Sequence, residues 1–336
     1  MIRHSKTILG LSVATALLLP IPAWSQDTGS QAARDAAART LEERGRQQVG
    51  LRRHTDGPRS TPRVVGGTDA LIGGRYEFTV QLTLSGRYRC GGSLVSPVVS
   101  TASDGTRFLD YWVEETKDNL WVVTAAHCLY DDLGNLLAPA DIEVRAGSRD
   151  ADAGRILPVA DNGVHPHPDY VHGARPILGD IALLKLKPVP SAASTEPFWS
   201  IAVSGSIDAG VVYQEGAAHR VNGWGQTQEG GVLANFMQTA MIPYGDQARC
   251  VDSYAIHGLR IARDQYCAGW TTGGIDSCGG DSGGSVFMLH PRHSASPILA
   301  GVVSWGKGCA RPELLGVYTS VLQRSDWLSD VIVRNL

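Results

Sequence analysis

No Cys-x-x-Cys pair occurs in the 336 residues, and no cysteine clusters with histidines at finger-like spacing, which argues against a structural zinc module. No Asn-x-Ser/Thr sequence is present, so the chain offers no N-glycosylation acceptor. Excess positive charge is also missing: 30 basic residues face 33 acidic ones, for a formal net charge of -3, and nothing suggests a nucleic-acid surface. The apolar run ILGLSVATALLLP (8–20) is too short and wrongly flanked to span a bilayer. Internal repeats are absent, and no long helical period appears before the last seventeen residues.

What is present begins with a basic n-region, MIRHSKT, ahead of that apolar run, followed by Ala23-Trp24-Ser25 with small residues where a signal peptidase reads. Residues 1–25 are therefore expected to be a signal peptide, and the protein to be secreted: extracellular, or periplasmic in a Gram-negative host. Residues 26–63 are rich in Ala, Arg and Gln, a composition that suits a short helix over 32–48 or a disordered leader equally. The first 63 residues hold ten basic and five acidic side chains, so a basic leader precedes a body of net charge -8. In an exported chain the even cysteine count (Cys90, Cys128, Cys250, Cys267, Cys278, Cys309) reads as three disulfides, for which fifteen pairings are open.

From Val64 onward, short runs such as FTVQLTL (78–84), LWVVTA (120–125), IALLKL (181–186) and LAGVVSW (299–305) alternate with Gly, Pro, Asn and Asp clusters. That pattern predicts an all-β body. At the end, Val321, Trp327, Leu328, Val331 and Ile332 fall near helical spacing and predict a C-terminal helix.

The chemistry centres on DSCGGDSGG (276–284). A serine hydroxyl is a weak nucleophile at neutral pH, so it needs a base in reach, an acid orienting the base, and donors for an oxyanion. Ser282 sits among glycines that let the chain turn sharply and aim amides at one spot. His127 follows a strand in TAAHC (124–128), and Asp180 precedes the apolar run of GDIALLKL (179–186). Singly, each has an ordinary structural explanation. In the order His, Asp, Ser they match the chymotrypsin form of the serine triad.

RVVGGT (63–68), CGGSL (90–94), TAAHC, DIALL, GWG (223–225), DSCGGDSGG, VVSWG (302–306) and GVYT (316–319) run in register from Val64 to the end. Together they resemble a secreted serine endopeptidase of the chymotrypsin/trypsin family, trypsin-like subgroup. The resemblance implies an all-β fold of two six-stranded antiparallel β-barrels, the active site between them, and a C-terminal α-helix. It implies His127 as general base, Asp180 as its orienting acid, Ser282 as nucleophile, and the amides of Gly280 and Ser282 as the oxyanion hole. Ser304 would support Asp180 and begin the substrate-binding strand. The bridges would be Cys90–Cys128, Cys250–Cys267 and Cys278–Cys309.

The same resemblance implies a zymogen: 26–63 is an activation propeptide, 64–336 the protease domain, and cleavage after Arg63 frees a Val64 amino group to pair with Asp281. Asp276, with Ser277 beside it and Gly306 and Gly316 as open walls, would select Arg or Lys before the scissile bond. Expected partners are protein or peptide substrates and protein protease inhibitors, with no nucleic acid and no membrane, for a monomer without cofactor or metal. Two readings compete: a catalytically silent binding protein on the same scaffold, which the intact triad and activation site oppose, and a chymotrypsin- or elastase-like preference, which Asp276 opposes.

Several features depart from the family pattern. Residues 97–119 form an extension expected either to restrict the leaving-group side near His127 or to be a surface hairpin. Residues 288–297 lengthen another loop, Ser285 stands where a proline is common, and Gly279 is small for a pocket-rim position, which predicts looser selectivity along the peptide. The shortened 147–165 segment, with Asp150 and Asp152, lacks the ligand pattern of a calcium loop. His165, His167 and His172 in HPHPDYVH tempt a metal reading, which the prolines and a family HP turn disfavour.

Overall fold

The computed structural model describes residues 65–70, 76–84, 87–116, 118–189, 198–205, 208–289 and 296–336. The expected signal peptide, the propeptide and the Arg63–Val64 junction lie outside these residues.

Six strands close the first barrel: β1 Thr79–Leu84, β2 Arg87–Val95, β3 Trp121–Thr124, β4 Glu143–Ala146, β5 Arg155–Pro166 and β6 Ala182–Leu186. Their order is β6-β3-β2-β1-β4-β5, all pairs antiparallel, with β5 returning to β6. A second sheet is built on β7 Ala218–Gly223, β8 Gln238–Pro243, β9 Gln265–Ala268, β10 Ser285–Leu289, β11 Pro297–Trp305 and β12 Gly316–Ser320, in the order β8-β7-β10-β11-β12-β9. Its ends meet where Gly245 N–H donates to Cys267 O (2.9 Å) and Gly269 N–H to Pro243 O (2.8 Å). Read as circles, both sheets follow one connectivity.

Strands such as β3 and β12 are buried at every position. That is why neither shows the apolar-polar alternation of a half-exposed strand: β3 reads WVVT and β12 GVYTS. Val80, Leu94, Val122 and Leu184 fill the first barrel, and Val221, Ile242, Tyr266 and Val286 the second. Helix α1 Gln247–Ala255 is N-capped by Asp246, whose side chain accepts from Arg249 N–H. Helix α2 Ser325–Arg334 buries Leu328 and Ile332 in the first barrel's core, as their spacing predicts.

Between the barrels lies a set of buried hydroxyls. Ser285 Oγ sits 2.7 Å from Ser93 Oγ and 3.4 Å from Thr79 Oγ1, and Asn222 Nδ2 donates to the latter (3.4 Å). The serine where a proline is common thus joins β10 to β1 and β2. Three disulfides are formed, Cys90–Cys128, Cys250–Cys267 and Cys278–Cys309, leaving no free thiol.

The extension at 97–119 is a hairpin of Pro97–Thr101 with Arg107–Trp112. Its second strand packs near α2, and none of its residues lines the cavity described below. The segment has the form of a hairpin, as one of the two expectations for it supposed. Periodicity predicts a strand but not which side of a barrel it lies on.

Candidate active site

His127 sits in the 3-10 turn Ala126–Leu129, which follows β3 directly, and the Cys90–Cys128 bridge ties that turn to β2. Asp180 lies just ahead of β6 and is fully buried. Its carboxylate accepts from His127 Nδ1 (2.9 Å to Oδ2, 3.1 Å to Oδ1), from His127 N–H (3.0 Å to Oδ1) and from Ser304 Oγ (2.5 Å to Oδ2). Burial works to raise the acid's pKa, but the facing imidazole and these hydrogen bonds outweigh it and hold the carboxyl below its ordinary range. An ionised acceptor at Nδ1 fixes the proton there and leaves Nε2 as the unprotonated, basic nitrogen of the ring. The approach to Asp180 is itself held: Gly179 N–H donates to Asp264 Oδ2 (2.9 Å), and Arg324 binds that same oxygen.

Ser282 belongs to the loop entering β10. Its carbonyl accepts from Gly91 N–H (2.7 Å), next to Cys90, and the following Gly283 N–H donates to Val303 O (2.8 Å) on β11. Main-chain bonds to both barrels therefore seat the serine beside the corner that carries His127. Gly280 adopts φ +97°, a left-handed conformation that suits glycine.

A cavity of about 390 Å³ opens beside Ser282, with Asp276, Ser277, Ser304, Gly306 and Gly316 among its lining residues. Of these, Asp276 is buried, Oδ1 accepting from Ser277 N–H (2.8 Å) and Tyr318 OH (3.3 Å), Oδ2 from Ala310 N–H (3.0 Å). Burial pushes this carboxyl up to about 7, against the downward pull of those donors. Ser277 Oγ lies 3.1 Å from Tyr318 OH. A Cβ on Gly316 would stand 2.3 Å from Tyr318 OH and 2.9 Å from Asp276 Oδ1, so only glycine fits. Gly306 is less constrained: its nearest neighbour would be Gly308 O at 3.3 Å.

Asp281 points the other way, into the protein, and is fully buried. It accepts from Gly225 N–H (2.8 Å) and Cys278 N–H (2.9 Å), and burial still lifts it to about 6. Among the described residues no ion pair neutralises it. The glycines of GWG make room for it, since a Cβ on Gly223 or Gly225 would come within 2.1 or 2.4 Å of the carboxylate group. Val65 O accepts from Asp276 N–H (3.2 Å), which fixes the chain one residue after Val64 against Asp276.

Among the described residues, the histidines of HPHPDYVH belong to no group of converging ligand atoms. His167 accepts from Asp169 N–H at Nδ1 and has the Arg324 guanidinium 3.1 Å from Nε2; burial and that cation lower its pKa. Among the described residues, the grouping of ligand atoms at Cys90, His127 and Cys128 has both sulfurs spent in a disulfide. One cavity residue that the sequence reading missed is Gln226. Its amide stands beside Gly279, and it directly follows the GWG motif (223–225), which marks its place in the chain but not its position in the cavity.

Residues 116–328 match the family model for trypsin. The chain is 33% identical over 276 residues to the vitellin-degrading protease of Bombyx mori, covering 80% of this chain and 86% of that one. It is 33% identical over 273 residues to trypsin-1 of Astacus astacus, covering 79% and 98% respectively. It is 32% identical to coagulation factor XII of Bos taurus over 81% of this chain and 40% of the relative. The chain belongs to the trypsin family and is a serine protease of the trypsin kind, acting on protein substrates. No described helix is long and apolar enough to cross a membrane.

Proposed function

We propose that the protein is a secreted endopeptidase, made as a zymogen, that cleaves after Arg or Lys through Ser282, His127 and Asp180. The observation that carries the specificity is Asp276. A buried carboxylate that lines the same cavity as Ser282 has main-chain and phenolic donors but no cation among the described residues, so a substrate guanidinium or ammonium supplies the missing charge.

In the reaction, Ser282 Oγ attacks the scissile carbonyl while His127 Nε2 takes its proton. Asp180, receiving Nδ1–H, stabilises the resulting imidazolium. The N–H groups of Gly280 and Ser282 receive the oxyanion. Collapse breaks the C–N bond, His127 protonates the leaving amine, and an acyl-Ser282 ester remains. Water, deprotonated by His127, then hydrolyses that ester and returns the serine. Cleavage between Arg63 and Val64 would free an amino group one residue from the Val65 anchor, and Asp281 is the buried anion for it. Arg63 fits the pocket, so activation can be autocatalytic.

The test is covalent labelling of the Val64-started protein with phosphonate esters that differ only in an arginine-like or phenylalanine-like side chain. Fast modification of Ser282 by the first alone, abolished by His127→Ala, is expected. Equal labelling by both, or none, would overturn the reading.

A further inference from the structure

Resting on that reading, we infer that Gln226 is the specificity-determining residue at the rim of the Asp276 cavity, doing from another loop what a side chain at Gly279 would do. Gly279 directly precedes Gly280 and lines the cavity together with Asp276 and Ser282. A Cβ there would meet Gln226 Oε1 at 3.1 Å and Cδ at 3.3 Å. The rim is thus not open, as the small Gly279 suggests, but filled by a carboxamide. Gln226 lines the same cavity as Asp276 and Ser282.

Its position is built. Gln226 N–H donates to Gly279 O (2.7 Å), which fixes its main chain to the rim independently of the side chain. Gln226 bridges Leu233, and Thr227 N–H donates to Val232 O (3.3 Å), making 226–233 a small hairpin. The tip is strapped to the far wall: Glu229 receives Arg311 Nε (2.9 Å) and Nη2 (2.5 Å) and accepts from Cys309 N–H (3.3 Å). The strap spans the Cys278–Cys309 disulfide, so the loop that presents Gln226 is held at both ends.

A carboxamide offers one acceptor and one donor group without charge. Placed at this rim, it meets the substrate residues flanking the Arg or Lys and accepts acidic and basic neighbours alike. The substrate class is therefore Arg/Lys sites with little charge selection in the flanking residues.

The test measures kcat/KM for wild type, Gln226→Lys and Gln226→Glu on peptides carrying one Arg flanked by Glu, Gln or Lys. The Gln-flanked peptide reports that each variant is folded and competent. The Glu-to-Lys preference ratio is expected to rise in Gln226→Lys and fall in Gln226→Glu, the two lying roughly three- to tenfold apart at low ionic strength and converging at high salt. A ratio unchanged within twofold across all three, with every peptide cleaved, overturns the inference alone. Failure of wild type to cleave any Arg peptide removes the proposed function, and this inference with it.

Discussion

Ser304, on the strand that lines the cavity beside Ser282, donates its hydroxyl to the carboxylate of Asp180, which enters from the other barrel. The contact makes the proposed orienting acid and the proposed substrate pocket parts of one structure. Burial alone would favour protonated Asp180; donors such as Ser304 keep it ionised at neutral pH.

Ser304→Ala should therefore raise the pKa of Asp180 and cost roughly 1–3 kcal/mol of stability at pH 7, the usual loss for a hydrogen bond to a buried charge. Because the folded-state pKa is depressed, the stability lost is the part present above the unfolded carboxylate pKa. Thermal unfolding of the two proteins should thus differ most near pH 7 and converge as pH falls through the acid's titration. Equal melting points at pH 7 would contradict this role.

Asp276 carries the opposite sign. Its folded pKa, about 7, lies above the ordinary carboxylate value, so its contribution to stability is most favourable in acid and declines as pH rises from about 4 towards 7. Asp276→Asn should melt higher than wild type at pH 8, with the gap closing towards pH 4. In the wild type, affinity for a small amidinium cation should rise with pH up to about 7 and then level off, with proton release on binding at pH 6. Calorimetry in buffers of different ionisation enthalpy measures that release.

The two wall glycines should behave differently. Gly316→Ala drives a methyl group towards Tyr318 OH and Asp276 Oδ1. It should cost roughly 1–3 kcal/mol by overpacking and abolish Arg/Lys cleavage. Gly306→Ala meets only Gly308 O at 3.3 Å, so it should fold normally and act mainly through KM, more for Arg than for smaller side chains. Indistinguishable melting points for the two variants would refute the difference.

Most of the fold and the candidate site was legible in the sequence. Strands buried on both faces announce themselves as apolar runs, and the glycines of GWG and DSCGGDSGG mark where a chain passes hard against Asp281 or turns at Gly280. The six cysteines pair as the resemblance implied. What stayed hidden depends on contacts between distant segments. The 97–119 hairpin reads as strands, but its packing near the C-terminal helix involves partly buried residues such as Leu109 and Trp112, which pack against the core on a surface no periodicity encodes. Gln226 is one amide in a polar loop, and its place beside Gly279 exists only once the Glu229–Arg311 strap and the hairpin have formed. Ser285 marks an exception in the sequence, yet its reason, a buried hydroxyl cluster with Ser93 and Thr79, requires both barrels.

Activation should hinge on Asp281. Protein starting at Val64 should be active, and an acetylated Val64 amino group should abolish activity, because the acid at about 6 then stays buried without a cation. Asp281→Asn should be equally inactive while retaining its fold. Full activity in the acetylated protein would rule out the amino-group pairing.

The most direct measurement is kcat/KM of the Val64-started protein on matched peptides that differ only in Arg, Lys, Phe or Leu before the scissile bond, with Ser282→Ala and Asp276→Asn in parallel. The account predicts strong preference for Arg and Lys, loss of all turnover in Ser282→Ala, and loss of the Arg/Lys preference in Asp276→Asn. Cleavage after Phe or Leu as fast as after Arg, or turnover that survives Ser282→Ala, would contradict it.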